Sequence, residues 1–133
     1  MSKGKRIALI VFTIIVTLAA LYVFAPGFSK QGSAYITGYS VTDDGTEVTL
    51  KVGVASSIGY IRKVTIHQQQ GGKLYLDCYS AFGGINGSIG AKSEYTISLD
   101  EDTKMIAFYR AANSYSPVLE KDESGQWKRV TSN

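Results

Sequence analysis

The stretch "YSVTDDGTEVTL", residues 39–50, decides how most of this chain folds. Apolar and polar side chains alternate on both sides of an Asp-Gly pair, a pattern typical of two antiparallel strands joined by a tight turn. Counting outward from the turn gives three apolar pairs across the hairpin: Val41 with Val48, Tyr39 with Leu50, and Tyr35 with Val54. The sequence therefore predicts a β-hairpin with one buried face.

The same alternation recurs between turn signals along the rest of the chain, and no window there has a helical period. The strands are predicted near 35–42, 46–54, 60–68, 73–82, 92–99, 104–110, 115–121 and 126–131. Eight short strands without helices favour an all-β, two-sheet antiparallel sandwich. The immunoglobulin-like architecture is the nearest named type, although Cys…Trp…Cys spacing is missing and Trp127 falls in the last strand.

The second hairpin, "HQQQGGKLYL" at 67–76, allows two registers, one of which, a two-residue Gly-Gly turn, would set Leu76 opposite His67 and Cys78 opposite Thr65. A slip of one residue turns every side chain to the other face, so the apolar pattern chooses between them. A three-residue loop, 70–72, with a glycine bulge sets Ile66 opposite Leu76 and Val64 opposite Cys78. His67 then lies opposite Tyr75 on the solvent face, which gives an outward strip of candidate binding residues: Lys63, His67, Tyr75 and Tyr79. The alternative is ordinary cross-strand pairing on a wet sheet.

The N-terminal part predicts a membrane anchor. Residues 7–24 carry no charge and no Gly or Pro, and about twenty apolar residues cross a bilayer. The chain divides into a basic cytoplasmic tail (1–6), a transmembrane helix (7–25), a linker (26–34) and an extracytoplasmic domain (35–133). Lys3, Lys5 and Arg6 precede the helix, so the positive-inside rule keeps the N-terminus cytoplasmic. A cleaved signal peptide is the alternative, which Pro26 disfavours at the nearest cleavage site.

The glycine-rich stretch "GGINGSIGAKS", 83–93, invites interpretation as a phosphate-binding loop. Such a loop needs GxxxxGK[ST] followed by a helix. Here Ala91 separates Gly90 from Lys92, and the following residues have a strand pattern. A crossover between the two sheets is the better interpretation.

Catalysis and metal binding have little support in the sequence. His67 is the only histidine and Cys78 the only cysteine, too few for a zinc site, and the acidic turns lack calcium-loop spacing. No nucleophile is indicated beside His67, so we expect neither an enzyme nor a cofactor. Without the three basic residues of the tail, the chain has eleven basic and eleven acidic residues, so its net charge is zero. A neutral domain lacks the basic surface expected of a nucleic-acid-binding protein.

The loops predict a domain with two unlike ends. In an antiparallel sandwich successive connections alternate between the ends. One end receives nine of the eleven acidic residues, in the loops 43–47, 68–73, 100–103 and 120–125. The other end receives the neutral loops 55–59, 81–91 and 111–117, next to the anchor. Ile58, Ile85, Ile89 and Tyr115 are therefore expected to face the lipid, unless the segregation reflects only the preference of turns for Asp.

Two long segments carry a resemblance: "KLYLDCYSAFGGINGSIGAKSEYTISLDEDTKMIAFYR" and "VLEKDESGQW". Joined to a basic tail and one apolar span, they resemble small, uncharacterised single-pass membrane-anchored proteins of Gram-positive bacteria. This resemblance implies a cell-envelope location and no assigned activity. The expected function is a membrane-tethered, non-catalytic binding or protein-interaction module with a protein or envelope partner. A pilin-like assembly subunit is the alternative, although residues 7–24 lack a glutamate, and an envelope enzyme is less favoured.

Overall fold

The structure, a computed structural model, describes residues 2–55, 59–84 and 87–130. It begins with the helix α1 (Lys3–Phe24), which Ser2 caps by accepting a hydrogen bond from the backbone N–H of Lys5 at 3.3 Å. A 3-10 turn, Ala25–Phe28, continues it. This N-terminal segment is long and apolar enough to cross a membrane. At 1.5 Å per residue, α1 is about 33 Å long, close to the thickness of a hydrocarbon core.

Eight strands follow in the described part of the chain, and every predicted strand is confirmed with bounds that shift by no more than two residues. They are β1 (Ala34–Val41), β2 (Glu47–Val54), β3 (Ile61–Gln70), β4 (Lys73–Ser80), β5 (Glu94–Ser98), β6 (Met105–Ala111), β7 (Ser114–Lys121) and β8 (Trp127–Arg129). Strand β5 begins directly after the glycine-rich crossover. The stretch 83–93 therefore leads into a strand and lacks the helix that a phosphate-binding loop requires.

The strands form two sheets, as predicted, with the orders β1-β2-β5 and β3-β4-β6-β7-β8. Alternate side chains from both sheets fill the space between them, with Leu50, Leu74 and Phe108 fully buried. One pairing departs from the antiparallel expectation, because β4 and β6 run parallel. The chain crosses to the other sheet as β5 between these two strands, and such a crossover returns the next strand in the same direction. The immunoglobulin order is not confirmed, since β4 lies between β3 and β6.

The first hairpin has the predicted register next to its turn and a different one farther away. Val41 pairs with Val48 and Tyr39 with Leu50, as predicted, but Tyr35 pairs with Gly53. The pairing of Tyr35 with Val54 was therefore wrong, because a bulge between Ile36 and Gly38 adds one residue to β1. The bulge turns Tyr35 outward, and Ala34 and Ile36 are buried instead.

The second hairpin reaches the predicted pairing by another route. Ile66 pairs with Leu76 and Val64 with Cys78, as predicted. The turn, however, contains only Gly71 and Gly72, both with positive φ, so the three-residue loop 70–72 was wrong. An irregularity between Ile66 and Gln68 compensates for the slip. Gln68 therefore pairs with Tyr75, and the placement of His67 opposite Tyr75 was also wrong.

The two predicted ends of the domain are present. At the acidic end, the N–H of Lys104 donates to the carbonyl of Gly72 at 2.7 Å, and the N–H of Leu99 donates to that of Thr46 at 2.7 Å. At the other end, the N–H of Gly83 donates to the carbonyl of Val23 at 2.7 Å. The glycine-rich crossover is thus attached directly to the last turn of α1, far from the acidic loops.

Among the residues expected to face lipid, only two lie in the part of the chain that the structure describes. Ile58 and Ile85 lie outside the described residues. Ile89 is 57% exposed at the end nearest α1. Tyr115 lies in β7 rather than in a loop, so its assignment to the lipid-facing loops is corrected. The strand begins one residue earlier than predicted, and Tyr115 packs on the outer face of the five-stranded sheet.

Candidate functional site

The outer face of the five-stranded sheet contains a buried carboxylate, Asp77. The side chain of Asp77 is only 4% exposed, although it points away from the core between the two sheets. Burying an ionised carboxylate is costly unless it is paired and hydrogen-bonded. A group of polar side chains therefore has to cover it, and these side chains form the site.

Three side chains from different parts of the chain satisfy Asp77. Lys30 Nζ and His67 Nδ1 each lie 3.2 Å from Asp77 Oδ2. The hydroxyl of Tyr115 donates to Asp77 Oδ1 at 2.7 Å. We call these four residues the Asp77 cluster. It joins the segment before β1 to β3, β4 and β7, so a single carboxylate holds four parts of the fold together.

Aromatic rings surround Tyr115 on the same face. The ring centroid of Tyr115 lies 5.3 Å from that of His67, 5.1 Å from Tyr75 and 5.9 Å from Tyr109. The two tyrosine pairs meet edge to face, the arrangement that the charge distribution of aromatic rings favours. Lys30 Nζ lies 5.1 Å from the centroid of Tyr109, within the range of cation–π attraction. We call the rings of His67, Tyr75, Tyr109 and Tyr115 the aromatic wall.

A groove of about 900 Å³ opens beside this aromatic wall. It lies between the β3–β4 hairpin and the start of β7. Its lining residues are polar or aromatic, apart from one glycine: His67, Gln68, Gln70, Gly71, Lys73, Tyr75, Asn113, Ser114 and Tyr115. Grooves of this size accommodate small ligands or short polymer segments.

The strand bulge at His67 and the turn before β7 shape this groove. The bulge leaves His67 without a cross-strand partner, so its ring can turn toward Asp77 and Tyr115. The turn includes Ala112 at a φ of 51°, which is uncommon for a residue other than glycine. Backbone strain of this kind persists only where surrounding contacts hold it. Here it positions Asn113 and Ser114 beside the groove.

The predicted binding strip is brought together in two parts. His67 and Tyr75 line the groove, whereas Lys63 Nζ lies 5.3 Å from the ring centroid of Tyr79, farther along the same face. Sequence reasoning missed Lys30, Tyr109 and the role of Tyr115. Tyr109 and Tyr115 reach the strip because β6 lies beside β4 and β7 lies beside β6, and Lys30 reaches it through its bridge to Tyr79. No local sequence pattern indicates this arrangement.

The arrangement of the Asp77 cluster differs from that of a hydrolase triad. An Asp–His pair is half of a hydrolase triad, in which the imidazole activates a hydroxyl nucleophile. Here the hydroxyl of Tyr115 donates to the carboxylate instead. Partial burial and this hydrogen bond raise the pKa of Tyr115 above its ordinary value of 10.0, so the hydroxyl stays protonated. Among the described residues, no group of three or more His, Cys, Asp or Glu side chains could hold a metal ion.

Cys78 lies on the other face of β4, in the core, as predicted. Its side chain is fully buried, and burial raises the pKa of its thiol to about 12. Reactive cysteines are exposed and have a lowered pKa. Cys78 is therefore a packing residue and takes no part in the site.

The segment predicted as a linker is attached to the site. The N–H of Gln31 donates to the carbonyl of Cys78 at 2.6 Å, and Lys30 forms an isolated antiparallel bridge with Tyr79. The half-buried guanidinium of Arg110 donates to the carbonyls of Gly32 and Ala34, at 3.1 and 2.6 Å. Residues 29–34 thus fill the gap where β6 diverges from β4, which brings Lys30 to Asp77.

Comparison with protein-family models, with curated proteins and with solved structures gives no significant match.

Proposed function

We propose that this protein is a membrane-tethered, non-catalytic binding module of the cell envelope, and that its groove takes a hydrophilic ligand. The observation that carries the proposal is the polar groove of about 900 Å³ beside the aromatic wall. Concave sites with a few converging polar groups and aromatic faces are the usual form of a binding site. The ligand belongs to a neighbouring envelope polymer or protein.

The lining of the groove favours a polar ligand that carries negative charge. None of its nine described lining residues is aliphatic, so an apolar ligand would bury little surface there. Amides and hydroxyls of Gln68, Gln70, Asn113 and Ser114 offer hydrogen bonds, and Tyr75 offers a ring. Lys73 adds a positive charge, whereas the nearby carboxylate of Asp77 already has three partners.

The anchor in this proposal is α1, with the N-terminus in the cytoplasm and the β domain outside. Lys3, Lys5 and Arg6 lie at the start of the helix, and the positive-inside rule retains such residues in the cytoplasm. This topology places the groove where envelope ligands are present.

Site-specific photocrosslinking in intact cells tests the proposal. A photoreactive residue replaces Gln70, which lines the groove, in the full-length chain. The matched control carries it at Thr96, an exposed residue of the three-stranded sheet. We expect adducts of defined size from position 70 and none from position 96, and we expect Lys73→Glu to reduce them. Equal patterns at both positions, or adducts that Lys73→Glu leaves unchanged, would overturn the assignment of the groove.

A further inference from the structure

A second surface, at the end of the domain nearest α1, combines exposed apolar side chains with a guanidinium. We define the aromatic collar as Phe24, Phe28, Phe82, Ile89 and Arg62. Phe28 is 72% exposed and Ile89 57% exposed, high values for side chains of this size in a folded domain. Exposed apolar side chains that cluster at one site mark an interaction surface.

The collar is built as one unit. The ring of Phe82 lies 5.4 Å from that of Phe24 and 5.8 Å from that of Phe28, both edge to face. Ile89 joins it through paired backbone hydrogen bonds with Phe82, of 2.9 and 3.0 Å. Gly27 is required beneath it, because a side chain there would collide with the ring of Phe82. The collar therefore holds a fixed shape at the end of α1.

Arg62 sets the chemistry of the collar. Its guanidinium lies 4.3 Å from the ring centroid of Phe82 and 5.9 Å from that of Phe28. It also donates to the carbonyls of Gly27 and Ser80. Phenylalanine and aliphatic side chains beside a basic group are typical of surfaces that lie in the membrane interface, where the apolar side chains enter the acyl boundary and the cation meets phosphate.

Continuity with the helix identifies the occupant of this surface. Phe24 is the last residue of α1. The N–H of Gly83, next to Phe82 of the collar, donates a hydrogen bond to the carbonyl of Val23, the residue before Phe24. If α1 spans the bilayer, the collar lies at the level where the helix leaves the hydrocarbon. The neutral loops on this end carry no acidic residue that an anionic surface would repel.

We propose that the aromatic collar is a docking surface for the headgroups of the leaflet from which α1 emerges. This inference rests on the membrane anchor of the proposed function. The docked domain stands upright, with Phe28 and Ile89 in the headgroup layer and the acidic loops in water. Strand β4, of eight residues, spans about 27 Å, so Lys73, its first residue and part of the groove lining, lies at the end of the domain away from the collar.

Fluorescence quenching by brominated lipids tests the orientation, because the chain contains a single tryptophan, Trp127, at the acidic end. The full-length protein is reconstituted in vesicles of phosphatidylcholine and phosphatidylglycerol with brominated acyl chains. In a Trp127→Phe background, reporters are placed by Ile89→Trp, by Thr96→Trp as the exposed control, and by Phe12→Trp within α1. We expect fluorescence at position 89 to fall about twofold, as for a side chain buried ~5–10 Å into the headgroup boundary. Trp127 and position 96 should be unaffected.

Each failure has a distinct meaning. Quenching at position 12 but not at position 89, or equal quenching at positions 89 and 96, overturns the docked orientation. Loss of quenching at position 12 as well overturns the anchor on which both proposals rest. Phe28→Ser removes an exposed ring and should reduce quenching at position 89 without changing circular dichroism. Quenching that is unchanged in this variant would show that the collar does not hold the domain on the lipid.

Discussion

The hydroxyl of Tyr115 donates a 2.7 Å hydrogen bond to Asp77 Oδ1, although 38 residues separate them in the chain. The two strands that carry them, β7 and β4, are not neighbours, because β6 lies between them in the sheet. Tyr115 therefore reaches across a strand to meet a buried carboxylate. Because Tyr115 also lines the groove, this contact connects the groove to the buried part of the sheet.

Removal of this hydroxyl should destabilise the domain while preserving its shape. Hydrogen bonds to charged groups contribute more than neutral ones, so Tyr115→Phe should lower the free energy of unfolding by about 1–3 kcal/mol. The measurement is urea denaturation of the full-length protein in detergent, followed by fluorescence. Tyr35→Phe, at an exposed tyrosine of the other sheet, is the control and should change little. Equal effects of the two substitutions would show that the bond to Asp77 adds no stability.

Cys78 should resist thiol reagents in the native protein. Its side chain is fully buried, and its thiol, with a pKa of about 12, stays protonated at neutral pH. Since the thiolate is the reactive species, a maleimide should label the protein only after denaturation. Mass spectrometry of native and urea-treated samples measures this. Rapid labelling of the native protein would contradict the core position of β4.

The turn between β7 and β8 should weaken in acid. Hydrogen bonds from the side chain of Ser124 and the backbone of Gln126 hold the pKa of Asp122 below its ordinary value of 3.8. A lowered pKa means that the carboxylate contributes stability above 3.8, which is lost as the pH falls toward the folded-state value. Asp122→Asn should therefore make the decrease of Tm with falling pH smaller. Glu123→Gln, which removes a charge from the same turn, should leave this decrease unchanged. An equal reduction in both variants would show that the decrease of Tm comes from net charge rather than from the hydrogen bonds of Asp122.

The proposed topology predicts where protease can reach. In spheroplasts of cells that carry the full-length chain with a C-terminal epitope, added protease should remove the epitope and degrade residues 35–133. The physical reason is the basic tail, which keeps the N-terminus inside. An epitope on a cytoplasmic protein serves as the control for intact membranes. Complete protection of the C-terminal epitope would reverse the orientation.

The strands could be predicted from the sequence because alternation and turn residues are local signals. The sheet order could not, since nothing in β4 or β6 indicates that they pair in parallel. The site shows the same division. His67 and Tyr75 belong to one hairpin and were recognised together, whereas Lys30 and Tyr115 reach Asp77 through tertiary packing.

Bulges explain the remaining errors of register. The bulge in β1 and the irregularity at His67 each insert one residue, and an inserted residue turns all later side chains to the other face. In the second hairpin the apolar pattern correctly predicted the pairing in the middle of the strands. The pairing next to the turn instead follows the two-residue Gly-Gly turn. Both signals were right in their own segment, and the bulge between them reconciles the two.

The Gly-Gly turn offers a test of this account at two adjacent positions. Gly71 and Gly72 have φ values of 62° and 79°, as a two-residue hairpin turn of the mirror-image type requires. Such turns prefer Asn followed by Gly, and a Cβ on Gly71 would meet open space. Gly71→Asn should therefore keep or raise the stability, by up to about 1 kcal/mol, because it restricts the unfolded chain.

Gly72→Asn should behave in the opposite way, although it makes the same chemical change one residue later. A Cβ on Gly72 would lie 2.7 Å from the carbonyl oxygen of Asp102, a backbone atom that cannot move freely. The carbonyl of Gly72 also accepts hydrogen bonds from Lys104 and Met105 at 2.7 and 3.1 Å, so the turn cannot shift away without losing them. We expect a loss of about 1–3 kcal/mol, the usual cost of overpacking. Urea denaturation of both variants measures the difference. Equal stabilities would contradict the close approach of Gly72 to the β5–β6 loop.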